Sequence, residues 1–250
     1  MDSLSYIELD STSNQKINIF DSVFIVYNLT NYATCFYIGN GRFVTNKHFF
    51  SNETERIYVK NHKNNFECEI EFIPYNNMDL AIIRIKNYNL NKELYDKNLK
   101  SIKLAEYKPN ILQPVVCVGF SYYNKREIIN DKKYPNFSKG ILSKIINKRG
   151  EYNKHMIYQV DCSCFSGGSG CPVVDENGYM IGVLFQNLSF NSNDNFLQLP
   201  NSGFLISKEI VEEILECLQK NEDLSKLWMF TLKNDEIDLY FNYRKMNPKF

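Results

Sequence analysis

The chain has 250 residues, 44% of them hydrophobic and 14% aromatic, which fits one large or two small globular cores. Its 29 basic and 29 acidic residues cancel, which excludes the basic footprint of a nucleic-acid binder, and no apolar run approaches the roughly 18 residues needed to span a bilayer. Residues 1–16 carry Asp2, Glu8 and Asp10 and lack the basic start and apolar run of a signal peptide, and the seven cysteines form an odd, irregular set; the expectation is reduced thiols in an intracellular, cytoplasmic setting.

Val23 to Tyr27 and Ala33 to Ile38 are β-branched and aromatic runs separated by Asn28 to Asn31, the composition of two strands and a turn. Gly39-Asn40-Gly41 turns the chain into a short strand, Arg42 to Thr45, that delivers Asn46-Lys47-His48 at its end. Phe66 to Phe72 alternates apolar and acidic residues at period two, which predicts a half-buried strand. A turn over Pro74 to Asn77 follows, and then Asp79 stands at the entrance of an almost unbroken apolar run that ends at Ile85.

Lys86 to Asn110 is polar, lysine-rich and weakly helical, and reads as a connection between two halves. Beyond it, Pro114 to Phe120, Lys139 to Ile145, Met156 to Val160, Cys171 to Val174 and Tyr179 to Gln186 are strand candidates, with Asp175 to Gly178 as a hairpin turn. Ser207 stands where it can cap a helix whose apolar stripe is Ile210, Val211, Ile214, Leu215 and Leu218. The tail, with Ile237 to Tyr243 near Asn234-Asp235, has the pattern of an added hairpin and no assigned role. So many short strands and so few helices favour all-β barrels.

The stretch that carries chemistry is Ser163 to Pro172, in which Ser169 is enclosed by Gly167, Gly168 and Gly170. Glycines cluster where φ must be positive or where backbone must approach closely, and convergent backbone N–H groups beside an attacking serine make an oxyanion hole. Such a serine needs a histidine and a carboxylate. His48 at a strand end and Asp79 at a strand entrance supply them, whereas His62 and His155 read as ordinary surface or satisfied residues. Cys162, Cys164 and Cys171 lack a fourth ligand at zinc spacing, so no metal site is expected.

Gly41-Arg42-Phe43-Val44-Thr45-Asn46-Lys47-His48, Asp79-Leu80-Ala81-Ile82-Ile83 and Gly167-Gly168-Ser169-Gly170-Cys171-Pro172-Val173 resemble, in order, the three signature segments of trypsin-like serine proteases. The likeness is to HtrA-type and related intracellular or viral branches, whose histidine segment reads G-x-x-V-T-N-x-H. The resemblance implies a chymotrypsin-like fold of two six-stranded antiparallel β-barrels with a C-terminal helix. The halves would be a first barrel over 17–90, a connection over 91–110, a second barrel over 111–207, a helix over 208–222 and a tail extension over 223–250.

The resemblance further implies a serine endopeptidase with Ser169 as nucleophile, His48 as base and Asp79 as its orienter. The oxyanion donors would be the N–H groups of Gly167 and Ser169, the partner a polypeptide substrate, and no cofactor would be required. The base of the primary pocket falls six residues before the nucleophile, at Ser163, with Leu184, Phe185 and Asn187 on the facing strand. None of these is charged, which implies an uncharged P1 side chain. Gly168 stands where secreted relatives carry an aspartate that pairs with a newly cut N-terminus, so activation by clipping is not expected. Phe49 replaces a disulfide cysteine, and no PDZ domain of the HtrA type is expected after Leu218. The competing reading is a silent pseudoprotease that uses the same cleft to bind or scaffold peptides.

Overall fold

The computed structural model of the chain describes residues 19–29, 31–50, 56–61, 63–72, 79–120, 134–147, 156–163, 167–192 and 195–220. The turn over Pro74 to Asn77, His62, His155, Cys164 and the tail hairpin read from the sequence lie outside these residues.

The first six strands are β1 (Val23–Tyr27), β2 (Tyr32–Gly39), β3 (Arg42–Thr45), β4 (Ile57–Lys60), β5 (Asn65–Phe72) and β6 (Ala81–Ile85). They close into an antiparallel barrel in the order β1-β2-β3-β6-β5-β4. The next six are β7 (Pro114–Gly119), β8 (Asn136–Asn147), β9 (Met156–Val160), β10 (Pro172–Val174), β11 (Met180–Ser192) and β12 (Asn195–Ser207). They close a second antiparallel barrel in the order β10-β11-β12-β9-β8-β7. This is the chymotrypsin-like double barrel, mostly strand, with a C-terminal helix.

The alternation of side chains along a strand explains why some strands read as continuous apolar runs and one does not. In β1, Phe24 and Val26 fill the first barrel, while Val23 and Ile25 point outward into a cluster shared by both barrels. β6 divides in the same way, with Ile83 and Ile85 inside and Ile82 in the shared cluster. From the second barrel, β7 turns Val115 and Cys117 inward and sends Val116 and Val118 to the shared cluster. β5 has one wet face, so Phe66, Cys68 and Ile70 pack on the first core while Glu67 and Glu69 face outward.

Local turn chemistry sets the strand ends. Gly39, Asn40 and Gly41 all have positive φ, at 99°, 51° and 74°, a run tolerated by glycine and asparagine. At the β10–β11 turn the Asp175 carboxylate accepts from the Asn177 and Tyr179 N–H groups at 2.9 and 2.8 Å, closing an Asx turn.

Between the barrels, a 3-10 turn (Tyr88–Asn91) and a short helix α1 (Lys92–Asn98) lead into an extended strap. The Ile102 N–H donates to Tyr37 O on the first barrel at 2.9 Å, and the Ala105 N–H donates to Met180 O on the second, also at 2.9 Å. Tyr107 fixes the far end by donating its hydroxyl to Asp175 Oδ2 at 2.5 Å. Burial, followed by that bond, raises the Tyr107 pKa.

The C-terminal helix α2 (Lys208–Lys220) lays Ile210, Val211 and Ile214 into the shared cluster, with Leu215 and Leu218 against its margin. The apolar stripe is as the sequence predicts, but the cap is not. Ser207 is still paired with Gly182 as the last residue of β12, and its buried hydroxyl has no hydrogen-bond partner among the described residues. Strand pairing holds that residue in place of a capping turn. Among the described residues no helix is long and apolar enough to cross a membrane.

Candidate active site

His48 lies in a 3-10 turn, Lys47–Phe49, directly after β3. Phe49 anchors the turn by inserting into the first barrel core, where it meets Phe50 edge to face at 4.9 Å. Because β3 pairs with β6 with Thr45 opposite Ala81, the residues just past the end of β3 meet those just before the start of β6, and Asp79 is there. Asp79 Oδ1 accepts from the His48 backbone N–H at 2.8 Å, and Asp79 Oδ2 lies 2.5 Å from His48 Nδ1. An ionised carboxylate only accepts, so a neutral imidazole held here carries its hydrogen on Nδ1 and its lone pair on Nε2. The imidazole is half exposed and the carboxylate 23% exposed, so the free ring nitrogen has access to a ligand. Asn46, fully buried, donates Nδ2 to Asp79 O at 2.6 Å and so holds the carboxylate residue by its backbone too.

Ser169 sits in a loop wedged between the barrels. Gly167 and Gly170 have φ of 89° and 80°. A Cβ on Gly167 would lie 2.5 Å from Phe120 O, and one on Gly170 would lie 2.2 Å from Thr34 O. Both glycines are therefore required twice over, by conformation and by close approach. The loop docks on β2, where the Thr34 N–H donates to Ser169 O at 3.0 Å and the Thr34 hydroxyl donates to Gly167 O at 2.9 Å. On its other side the Gly170 N–H donates to Leu184 O and the Leu184 N–H to Cys171 O, both at 2.9 Å. Among the described residues neither the Gly167 nor the Ser169 N–H has a hydrogen-bond acceptor. A loop pinned by its carbonyls, with two donors unspent among the described residues, is suited to hold a negatively charged oxygen.

Around this loop, the residues expected to form the specificity pocket divide. Ser163 follows β9, and its N–H donates to Ser138 Oγ on β8 at 2.7 Å. Leu184 borders the loop through its backbone, but its side chain is 1% exposed and belongs to the second barrel core. Phe185, on the opposite face, is partly buried against the shared cluster and packs on Phe204 with ring centres 6.4 Å apart. Asn187 pairs with Gly203 in the β11–β12 ladder. The acid nearest Ser163 in sequence, Asp161, accepts the Ile141 N–H at 2.5 Å.

Cys162 and Cys171 are buried core residues of the second barrel. The Cys171 thiol fills the space over Gly119, where an added Cβ would lie 1.8 Å from Sγ. In the first barrel, burial pushes the Cys35 and Cys68 thiols up, which makes them poor nucleophiles.

Three residues that build this arrangement were not singled out from the sequence. Thr45 and Asn46 stand inside the histidine segment, and Thr45 donates its hydroxyl to Thr34 O at 2.8 Å. Their position in the motif was the available signal. Thr34 carried none, because threonine in a strand is commonplace.

Among solved structures the chain resembles Rv3671c from M. tuberculosis. A serine-to-alanine mutant of that protein, described as an inactive form, aligns with a TM-score of 0.56 and 17% identity over 78% of this chain and 86% of that one. The Rv3671c protease in its active form aligns with a TM-score of 0.56 and 19% identity over 78% of this chain and 80% of that one. At these identities the likeness is one of fold. No curated protein sequence matches this chain. A family model described as the trypsin-like peptidase domain matches residues 33–183, a span that runs from β2 through His48, Asp79 and Ser169 into β11. The chain belongs to the trypsin-like peptidase domain family.

Proposed function

We propose that the chain is a serine endopeptidase acting on polypeptides through Ser169, His48 and Asp79. The observation that carries the reading is the two-point grip of Asp79 on His48, through its backbone N–H and through Nδ1. That grip fixes the ring so that Nε2 is the basic nitrogen.

In the proposed reaction the substrate carbonyl approaches the glycine loop and Ser169 Oγ adds to it. The serine proton passes to His48 Nε2, and Asp79 stabilises the imidazolium. The carbonyl oxygen, now negative, is held by the N–H groups of Gly167 and Ser169, where losing one donor typically costs about 10²–10³ in rate. His48 returns the proton to the leaving amine, leaving an acyl-enzyme at Ser169. Water, deprotonated by His48, then releases the acid.

The P1 side chain taken by this enzyme is uncharged. The supporting observation is the neutral Ser163 at the pocket base position, whose N–H is held by Ser138 Oγ.

A fluorophosphonate probe tests the nucleophile directly. The wild-type chain is expected to label once, and Ser169→Ala, which leaves the loop backbone unchanged, is expected to abolish labelling. A folded wild type that stays unlabelled would refute the reading and leave a peptide-binding pseudoprotease in its place.

A further inference from the structure

Thr34 is fully buried in β2, and four hydrogen bonds pass through it. Its N–H donates to Ser169 O at 3.0 Å, and its hydroxyl donates to Gly167 O at 2.9 Å. The same hydroxyl accepts the Phe120 N–H at 3.0 Å, and its carbonyl accepts the Thr45 hydroxyl at 2.8 Å. One residue of the first barrel thus touches the Ser169 carbonyl, the carbonyl two residues before it, the end of β7, and the strand that leads to His48.

The geometry of peptide planes turns these contacts into a constraint on chemistry. Gly167 O belongs to the Gly167–Gly168 peptide and Ser169 O to the Ser169–Gly170 peptide, and each plane is rigid. Thr34 holds both. The Gly168–Ser169 peptide between them carries the Ser169 N–H and is held by its own bond, because Gly168 O accepts the Cys171 N–H at 3.0 Å. The Gly167 N–H lies on the other side of the first anchored plane. Glycines have wide conformational freedom, so without an anchor at Gly167 O the Gly167 N–H could rotate out of convergence with the Ser169 N–H.

The backbone share of the anchoring would survive any substitution at position 34, since the N–H to Ser169 O bond and the Thr45 bond use main-chain atoms of Thr34. The bond to Gly167 O would not, because only a hydroxyl at this position supplies it. A hydroxyl has one proton, and here it is spent on Gly167 while a lone pair takes the Phe120 N–H.

We infer that the Thr34 hydroxyl is a positioning group for the Gly167 oxyanion donor, fixing the Gly167–Gly168 peptide so that the Gly167 N–H converges with the independently held Ser169 N–H. The inference rests on the serine-protease reading given above. It assigns a first-barrel side chain to the preparation of a second-barrel loop.

The test is fluorophosphonate labelling of the full chain as a function of probe concentration, which separates the maximal rate from the half-saturating concentration. In this reaction Ser169 Oγ bonds to phosphorus, fluoride leaves, the serine proton goes to His48, and the phosphoryl oxygen requires the oxyanion donors. Thr34→Val keeps the shape and removes the hydroxyl; its maximal labelling rate is expected to fall about tenfold, the size of one lost buried hydrogen bond. Its half-saturating concentration should stay within about twofold of wild type, and Thr34→Ser should restore the rate to within about threefold. An unlabelled wild type would sink the proposed function itself. A labelled wild type with Thr34→Val equally fast, or with Thr34→Ser as slow as a folded Thr34→Val, would overturn the positioning role alone. Should Thr34→Val and Thr34→Ala both lose their unfolding transition while Thr34→Ser folds and labels, the hydroxyl serves stability, and the positioning role is again refuted.

Discussion

Replacing Asp79 by asparagine is a severe test of the proposed triad, because the structure dictates which way the new amide must face. Asp79 Oδ1 takes the His48 backbone N–H at 2.8 Å and Oδ2 meets Nδ1 at 2.5 Å. A backbone N–H can only donate, so the amide oxygen of the Asp79→Asn variant must stay on it and the NH₂ must face Nδ1. Nδ1 then has to accept, which moves the ring proton to Nε2, the nitrogen that is to receive the serine proton. The opposite amide orientation sets NH₂ against N–H, two donors face to face. That clash disfavours the second orientation, so the first prevails and the base is lost. The expected loss in kcat is on the order of 10⁴, the size seen for this substitution in Ser-His-Asp enzymes, or about 5 kcal/mol of activation free energy. The substitution is isosteric, so the unfolding midpoint should move little. The assay is kcat on a peptide amide chosen by library screening, paired with ¹⁵N NMR of the His48 ring to read the tautomer. A variant within tenfold of wild type, with Nε2 protonated and the fold intact, would refute the argument.

Gly119→Ala would drive a Cβ to 1.8 Å from Cys171 Sγ and 2.9 Å from Thr34 Oγ1. The expected destabilisation is about 2–3 kcal/mol, read as a thermal midpoint lower by about 4–12 °C. Adding Cys171→Ala removes the worst contact, so the double variant should be more stable than the sum of the singles by at least about 1 kcal/mol; strict additivity would show that the thiol does not occupy this space. A P1-varied peptide library should show preference for uncharged over basic side chains by kcat/KM, and a preference for Arg or Lys would refute the assignment of Ser163 and its neighbours as the pocket.

How much of this was legible in the sequence depends on how many faces each strand buries. β5, with one wet face, declares itself through Phe66, Cys68 and Ile70 alternating with Glu67 and Glu69. β1 and β7 are apolar on both faces, so their existence was plain but their division between a barrel core and a shared cluster was not. β4, the four residues Ile57–Lys60, was too short to stand out. Along β11 the ladder shifts register between Leu184 and Gln186, so counting alternate residues from the core does not tell which side chains border the loop. The histidine, aspartate and serine segments were visible because each combines a turn, a strand boundary and a reactive side chain. Thr34 was invisible because its importance comes from a loop more than 130 residues away, with 133 separating it from Gly167.

The cluster shared by the barrels also bears on how the chain is made. Val23, Ile25, Phe36, Val44 and Ile82 leave the ribosome well before Val116, Val183 and Ile206, and Val211 of the closing helix comes later still. Until those arrive, the half-made protein carries a greasy flank with nothing against it. Nascent chains in that condition are customers for chaperones and seeds for aggregation. Interruption of synthesis anywhere between the strap and α2 would therefore yield a sticky fragment in place of a smaller working module.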